Sequence, residues 1–542
     1  ITIESPLYRG IFSTKGGTIK EWILKEHQDP AGEPVNLIRN NNSGNLGIAF
    51  LSLEGDSVKP ADLDFIPENI TPINGNYTIS VDDQKKNFTL TADLGKERKI
   101  RKRYTFDPNS LTITMGIEFE NCQELINNQK YSLIWGTGIR TSEANFDEAQ
   151  KTPELSVERR IIQNNIEDDM RYSKSMALFG SGVEKFDIKN TPYREEELSS
   201  GDVHWITTKS KYFCATVIPK DNPGINVKFG GQSIPKEALL GRKNYVTVLT
   251  MDFSSPPPLF TDNFLVYLGP VDKRKFEELA KELGKDLKFK EVLDINSWIR
   301  GLSMLIYQIF LFLHSFIPNY GLVIIVFSIL INFLLYPLTA KSYKSMKKMQ
   351  EIQPLLTEIR EKYKKEPQKF QQAQLKIYKE YKVNPVGGCL PMLFQMPIFF
   401  SIYPIFRSIE LRGAPFIWWI TDLSKPDTIA TIPSILPLNN LMYGNQVNIL
   451  VIIYAISLFI QQKIMMKDPK QKAMVYIMPI MLLLLLNRWY SGFILYWLFF
   501  NLLSIIQRYL VREKGEPNPK PAPEPLKVKL HSKKPSKKGK KK

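Results

Sequence analysis

The 542-residue chain carries 72 Lys and Arg against 55 Asp and Glu, a net charge of +17, and is long enough for two or three units with separate cores. The excess is local: residues 341–384 hold +7, 463–472 hold +3 and 512–542 hold +9, leaving the remainder near −2. Basic clusters confined to segments beside apolar stretches orient a chain in a bilayer, and this placement argues against DNA as a partner.

Residues 1–293 read as a water-soluble α+β unit dominated by strands. Tyr77–Val81, Phe88–Thr91, Leu111–Met115 and Tyr245–Met251 alternate apolar and polar residues with period two, the signature of half-buried strands. Asp107–Ser110, Gly16-Gly17 and Gly230-Gly231 read as turns. The regularity predicts a large antiparallel β-sandwich. After an expected turn at Tyr267–Pro270, residues 272–290 take helical spacing and close the domain. Cys122 and Cys214 allow one disulfide, although two small buried thiols are the favoured expectation. Cys389, in an apolar stretch, has no metal-ligating neighbours. The chain starts at Ile1 with no signal sequence, so an N-terminal anchor helix or signal peptide is expected to be missing from it.

From Gly301 to Ala340 no charged residue occurs, which is more than one span of about 20 residues needs. Pro318 and Asn319 divide the stretch. Residues 294–318, with Trp298, Gln308 and His314, are expected to form an amphipathic helix in the membrane interface; 319–340 form the first visible span. Residues 341–383 make a charged helical hairpin, with Met346, Met349, Ile352 and Leu355 on its apolar side and Pro367 between its arms. Four further spans are expected within 384–511, near 385–406, 446–463, 473–488 and 489–507. The fourth has only 15 uncharged residues between Lys472 and Arg488, about 22 Å of helix against a core of roughly 30 Å, so flanking charges snorkel or the bilayer thins. Residues 512–542 are a Lys- and Pro-rich tail that cannot build a core and is expected to be disordered. Together these elements predict a multidomain α+β protein: an exported sandwich joined to a five-span helical bundle, every basic cluster on one side.

Several motifs carry a resemblance. Tyr336-Pro-Leu-Thr339, Asn384-Pro-Val-Gly-Gly-Cys-Leu-Pro391, Gln395-Met-Pro-Ile398 and Ser491-Gly-Phe-Ile-Leu-Tyr-Trp497 with Asn501 resemble, in order and spacing, the YidC/Oxa/Alb family of membrane insertases. The likeness covers about 295–511. The first half looks like the large periplasmic domain of bacterial YidC proteins, a supersandwich similar to sugar-mutarotase folds. The resemblance implies ATP-independent insertion of nascent hydrophobic segments into the inner membrane, without cofactor, alone or beside the Sec translocon. It also implies a hydrophilic groove open to cytoplasm and lipid, which lowers the cost of carrying polar groups through hydrocarbon. Gln395, Tyr496, Trp497 and Asn501 fall at motif positions of that groove. The family's groove arginine lies four residues before the motif tyrosine; here Asn332 occupies that place, and Ser328 lies one turn away on the same face. Asn332 either lines the groove or makes a helix–helix hydrogen bond. The hairpin, with Lys344, Lys347, Lys348, Arg360 and Lys364, is expected to meet nascent chains, the ribosome and anionic lipids, and the tail either the ribosome or headgroups.

Two rivals compete. A transporter or channel predicts ionisable residues in mid-span or paired broken helices, and the sequence shows neither. A carbohydrate-active enzyme needs paired carboxylates or metal ligands, yet the first half offers only His27 and His204 and no such cluster. No phosphate-binding Gly-x-x-x-x-Gly-Lys-Ser/Thr loop is present.

Overall fold

The computed structural model describes residues 1–38, 44–68, 70–72, 76–143, 157–188, 192–234, 242–254, 256–285, 287–295, 297–384, 390–431, 446–465 and 472–513. Residues 385–389 of the second motif (with Cys389), the Lys467 loop and the tail beyond 513 lie outside them. Two compact units emerge: Ile1–Ser297 with Arg407–Glu410, and Trp298–Phe406 with Leu411–Lys542.

The first unit is a sandwich-like pair of β layers. One runs, in spatial order, Ile66–Glu68, Lys86–Asp93, Lys99–Phe106, Thr112–Glu120, Leu259–Pro270, Phe213–Pro219, the second half of Arg194–Lys209, Lys174–Phe179 and Gly182–Phe186. The other runs Thr78–Ser80, Thr2–Glu4, Tyr8–Ser13, Thr18–Gln28, Asn45–Ser52, Ile126–Trp135, Arg242–Asp252, Gly224–Ile234 and the first half of Arg194–Lys209. The long Arg194–Lys209 strand thus belongs to both layers. Every pairing is antiparallel except Thr2–Glu4 with Thr78–Ser80. Strand Thr112–Glu120 shows why the layers close: Ile113, Met115, Ile117 and Phe119 are buried while their neighbours are not, the two-residue repeat of a pleated strand.

Two expected turns are strand instead. Gly230 and Gly231 sit within Gly224–Ile234, paired with Val246 and Tyr245. A Cβ at Gly231 would overlap Ile188, so this glycine permits close packing rather than a bend. Tyr267–Pro270 continues Leu259–Pro270 and pairs with Phe213–Thr216. Gly16 and Gly17 do turn, with φ of 73° and 56°, a region glycine enters without steric cost. Helix α1 (Val157–Tyr172) interrupts the strands without having been anticipated. Helix α2 (Lys273–Leu283) starts where the Asp272 carboxylate accepts from Arg274 N at 2.7 Å and ends at left-handed Gly284; it buries Phe276 and Leu279 beside Trp205, Tyr267 and Phe289. It stops short of 290, and a 3-10 turn at Phe289–Glu291 follows. Cys122 and Cys214 are buried free thiols.

Ionisable side chains are buried inside this unit. Lys102 is fully buried and donates to the carbonyls of Gly16 (2.9 Å), Gly17 (3.1 Å) and Leu46 (2.7 Å). Burial pulls its pKa down to about 7. Asp294 lies between Lys174 (2.8 Å) and Lys209 (2.7 Å). Burial opposes its charge, but the two ammonium groups prevail and hold the carboxyl well below the usual carboxylate range.

The second unit is helical: α3 (Arg300–His314), α4 (Tyr320–Glu351), α5 (Gln353–Lys362), α6 (Pro367–Glu380), α7 (Leu390–Ile402), α8 (Ile449–Met465), α9 (Lys472–Leu486) and α10 (Ser491–Glu513). The expected first span and first hairpin arm are one 32-residue helix, α4, capped by Asn319 Oδ1 accepting from Leu322 N. It breaks at Ile352, just before Pro354, which suits a helix start but not an interior. Helix α10 packs on α4 and α8, α9 on α8, and α7 on α3 and α4. Gly321 and Gly492 mark close approaches: a Cβ at Gly321 would overlap Phe416, and one at Gly492 would meet Phe406 at 2.9 Å and the Leu423 carbonyl at 3.0 Å. Among the described residues α4 is the one helix long and apolar enough by itself to cross a membrane; α3, α8, Val475–Leu486 and Ser491–Gln507 are apolar but shorter.

Candidate functional site

The helical unit is apolar on its outside as well as in its core. Large apolar side chains point outward from α4 (Ile329, Leu330, Phe333, Leu334), α8 (Ile453, Ile456, Ile460) and α9 (Tyr476, Ile477, Ile480, Met481). Exposed apolar surface on this scale marks contact with lipid or another protein. A few polar side chains point inward among the apolar ones.

They gather along α10. Tyr496, Phe500 and Ser504 recur every four residues and face α4; Trp497 and Asn501 lie one residue on and face α8, as a 3.6-residue period dictates. Ser328 Oγ donates to its own turn at Ile324 O (2.7 Å) and approaches Tyr496 O at 3.5 Å. Asn332 Nδ2 donates to Phe500 O at 3.1 Å and Ser504 Oγ at 3.2 Å. The Tyr343 hydroxyl donates to Ser504 O at 3.2 Å. On the other face Asn501 Nδ2 donates to Ser457 Oγ at 2.9 Å. Asn332 and Asn501 therefore cross-link helices, the ordinary use of such residues within apolar bundles, while Ser328 spends its one hydrogen within α4.

These bonds leave polar atoms over. Asn332 Oδ1, the Tyr496 hydroxyl, Gln395 Nε2 and Trp497 Nε1 are buried without a hydrogen-bond partner, as are Gln462 Oε1 and Gln507 Oε1. The Gln395 amide faces the Tyr496 hydroxyl without closing a bond of ordinary geometry. Tyr496 is fully buried, its ring 6.0 Å from Phe327 and 6.0 Å from Phe500. Trp497 is ringed by Phe399, Tyr454 and Phe493. An unsatisfied buried polar atom costs about 1–3 kcal/mol, and these are the atoms of the bundle open to another hydrogen-bonding group.

The end of the bundle near 411–431 is completed from within. Asp427 Oδ2 accepts from Leu450 N (2.7 Å) and Trp419 Nε1 (3.2 Å). Thr428 Oγ1 donates to Asn448 Oδ1 (2.8 Å), Asn448 Nδ2 to Asn487 Oδ1 (3.1 Å), and Asn487 Nδ2 to Gln446 O (2.8 Å). A closed polar network here and open valences further along α10 give the unit a polarity.

Of the six positions expected to line a groove, Ser328, Asn332 and Tyr496 meet at the α4–α10 interface, Gln395 reaches toward Tyr496, and Trp497 and Asn501 face α8. Ser457, Gln462, Ser504 and Gln507 were not singled out by sequence; Ser457 and Ser504 are lone polar residues in apolar runs, a weak signal but a visible one, whereas Gln462 and Gln507 sit among the polar residues that end their apolar runs. Lys344, Lys347, Lys348, Arg360 and Lys364 are exposed, while Ile352, Leu356, Ile377 and Val383 form the hairpin's own small core. Lys463 and Arg488 are also exposed. Among the described residues no cluster of metal-binding side chains occurs.

Sequence comparison places these two units in a class, inner membrane proteins with a periplasmic domain. A family model described as 60Kd inner membrane protein matches residues 312–518, and one described as the YidC periplasmic domain matches residues 1–289. A membrane protein insertase YidC of Prosthecochloris aestuarii is 34% identical over 95% of this chain and 82% of its own length. One from Chlorobaculum parvum is 32% identical over 94% and 81%. A crystal structure of an active YidC insertase with its first transmembrane domain resolved is 18% identical, covering 93% of this chain and 91% of its own at a TM-score of 0.38. On the sequence matches, the chain belongs to the YidC family of membrane protein insertases, which are not enzymes.

Proposed function

We propose that this insertase receives nascent hydrophobic segments in the helical unit and releases them into the inner membrane without ATP, its interior polar atoms serving as the groove. The observation that carries this is the set of unpartnered buried polar atoms on α4, α7 and α10 within a bundle whose outer faces are apolar. A client's polar flank satisfies those valences and crosses at lower cost, since each polar group left unsatisfied in hydrocarbon costs several kcal/mol.

In this proposal α4 (to about 340), α7, α8, α9 and α10 are five spans, residues 1–293 are periplasmic, and the hairpin and C-terminus are cytoplasmic. The distribution of Lys and Arg supports that orientation. The 13 residues of α7 and 15 of α9 cover about 20 and 22 Å, which supports a locally thinned bilayer and exposed Lys463 and Arg488 snorkelling at span ends. The exposed hairpin lysines suit anionic headgroups and a ribosome-bound nascent chain, and the Sec translocon is a proposed neighbour. Site-specific crosslinking from positions 332, 395 and 496 to a ribosome-stalled single-span client tests the reading. Adducts at all three support it; their absence, with adducts only from lipid-facing controls such as 333, sinks it.

A further inference from the structure

The orientation of the Asn332 amide is fixed by its partners. The Phe500 carbonyl can only accept, so the nitrogen of Asn332 must face it at 3.1 Å, and the nitrogen's second hydrogen goes to Ser504 Oγ at 3.2 Å. The atom left without a partner is therefore the oxygen, on a side chain 3% exposed. A flipped amide would set oxygen against oxygen and lose the bond to Phe500. What Asn332 offers to an incoming chain is an acceptor.

Among the described residues of the helical unit no Lys or Arg is fully buried beside it; Arg300, at the start of α3, is half-buried. The one buried Asp, Glu, Lys or Arg described there is Asp427, and its Oδ2 already accepts from Leu450 and Trp419. Asp427 belongs to the closed end, where Ser491 Oγ bonds the Asp422 carbonyl. Phe500 and Ser504 lie about 14–20 Å further along α10 at 1.5 Å per residue. The donors left unpartnered, Gln395 Nε2, the Tyr496 hydroxyl and Trp497 Nε1, lie about a turn nearer the closed end, whereas from Asn332 onward the atoms left over are oxygens, those of Asn332, Gln462 and Gln507. A buried acceptor repels a carboxylate and welcomes N–H and O–H groups.

We propose that Asn332 is a specificity-determining contact that favours clients whose translocated segments carry hydrogen-bond donors (Lys, Asn, Ser) over those carrying carboxylates. This rests on the groove reading above. At this level of α10 the preference comes from an oriented amide rather than from a fixed charge.

The test uses the full chain in proteoliposomes without a membrane potential. A cell-free single-span client carries two Lys, two Asn or two Asp in its translocated flank, and insertion is read by protease protection. Each client's intrinsic crossing cost cancels when wild type and variants are compared as ratios. The Lys-to-Asp ratio is expected to fall about fivefold in Asn332→Leu, the factor that one ordinary net hydrogen bond supplies. It is expected to rise in Asn332→Asp, a near-isosteric change that keeps the acceptor and carries the test if the leucine variant does not fold. Ser504→Ala, which removes one rung but leaves the Asn332 oxygen in place, should preserve the wild-type ratio. Ratios unchanged in both Asn332 variants overturn the inference, as does a Ser504→Ala ratio that falls with Asn332→Leu. Crosslinking from position 496 runs in parallel: adducts with unchanged ratios defeat this inference alone, whereas no adducts defeat the groove reading itself.

Discussion

Replacing Lys102 by Met should abolish a pH dependence that the wild-type β unit carries. The Lys102 ammonium is enclosed by three carbonyls and the Phe65 ring, 5.1 Å from Nζ, with no carboxylate among its partners. Desolvation moves its pKa from 10.5 to about 7. Between those values the unfolded chain holds the proton and the folded chain does not, so stability rises with pH across the interval, by about 1.4 kcal/mol per unit. Below about 7 both states are protonated and the folded one bears the full cost of the buried charge. Met fills much of the same volume without titrating, although it leaves the Gly16 and Leu46 carbonyls without their lysine donor; Gly17 keeps the Tyr104 hydroxyl at 3.0 Å. Urea unfolding of the full chain in detergent, followed by the far-UV signal of the strands, measures the difference between wild type and K102M at each pH. From pH 7.5 to 9.5 wild type should gain about 3 kcal/mol on the variant. Parallel curves would refute the reasoning, because they would mean that Lys102 keeps its proton in the fold.

Three further outcomes are expected. Asp294→Asn leaves Lys174 and Lys209 buried beside a neutral amide and should cost about 3–5 kcal/mol at neutral pH. In wild type the same contribution, present above the ordinary carboxylate pKa of 3.8, should be lost as pH falls below it; urea midpoints for the two proteins that respond alike to acid would argue against the triad. Gly492→Ala pushes a methyl against Phe406 and the Leu423 carbonyl and should cost about 1–3 kcal/mol, visible as a lower midpoint of thermal aggregation in detergent. Ser457→Ala removes the acceptor of Asn501 Nδ2 and should cost about 0.6–1.7 kcal/mol; the same assay with Ser457→Thr, which keeps the hydroxyl, should restore most of the loss.

Much of the fold could be read from residue order. Two-residue alternation in Thr112–Glu120 and Arg242–Asp252, and long uncharged runs after Gly301, identify strands and apolar helices because periodicity reports directly which face is buried. Punctuation was less legible. Gly230-Gly231 has the composition of a turn, yet both residues lie in a strand; at Gly231 the glycine makes room for the Ile188 side chain arriving from a distant segment. Helix α1 carries no strong apolar stripe and went unseen. The span and hairpin arm looked separate because composition changes at Lys341, while backbone hydrogen bonding does not respond to composition and runs on to Glu351.

The sequence by itself determined the class of protein: the division into a strand-rich half and an apolar helical half, the placement of its positive charge, and the family motifs from Tyr336 to Asn501. Only the tertiary structure decided what each polar residue of the bundle does. Asn332 and Asn501 are the same residue type in similar apolar surroundings. One spends its nitrogen on α10 and leaves an oxygen bare; the other reaches Ser457 on α8. Hydrogen-bond partners are set by which helices pack together and in what rotation, and those long-range choices are not written in local sequence.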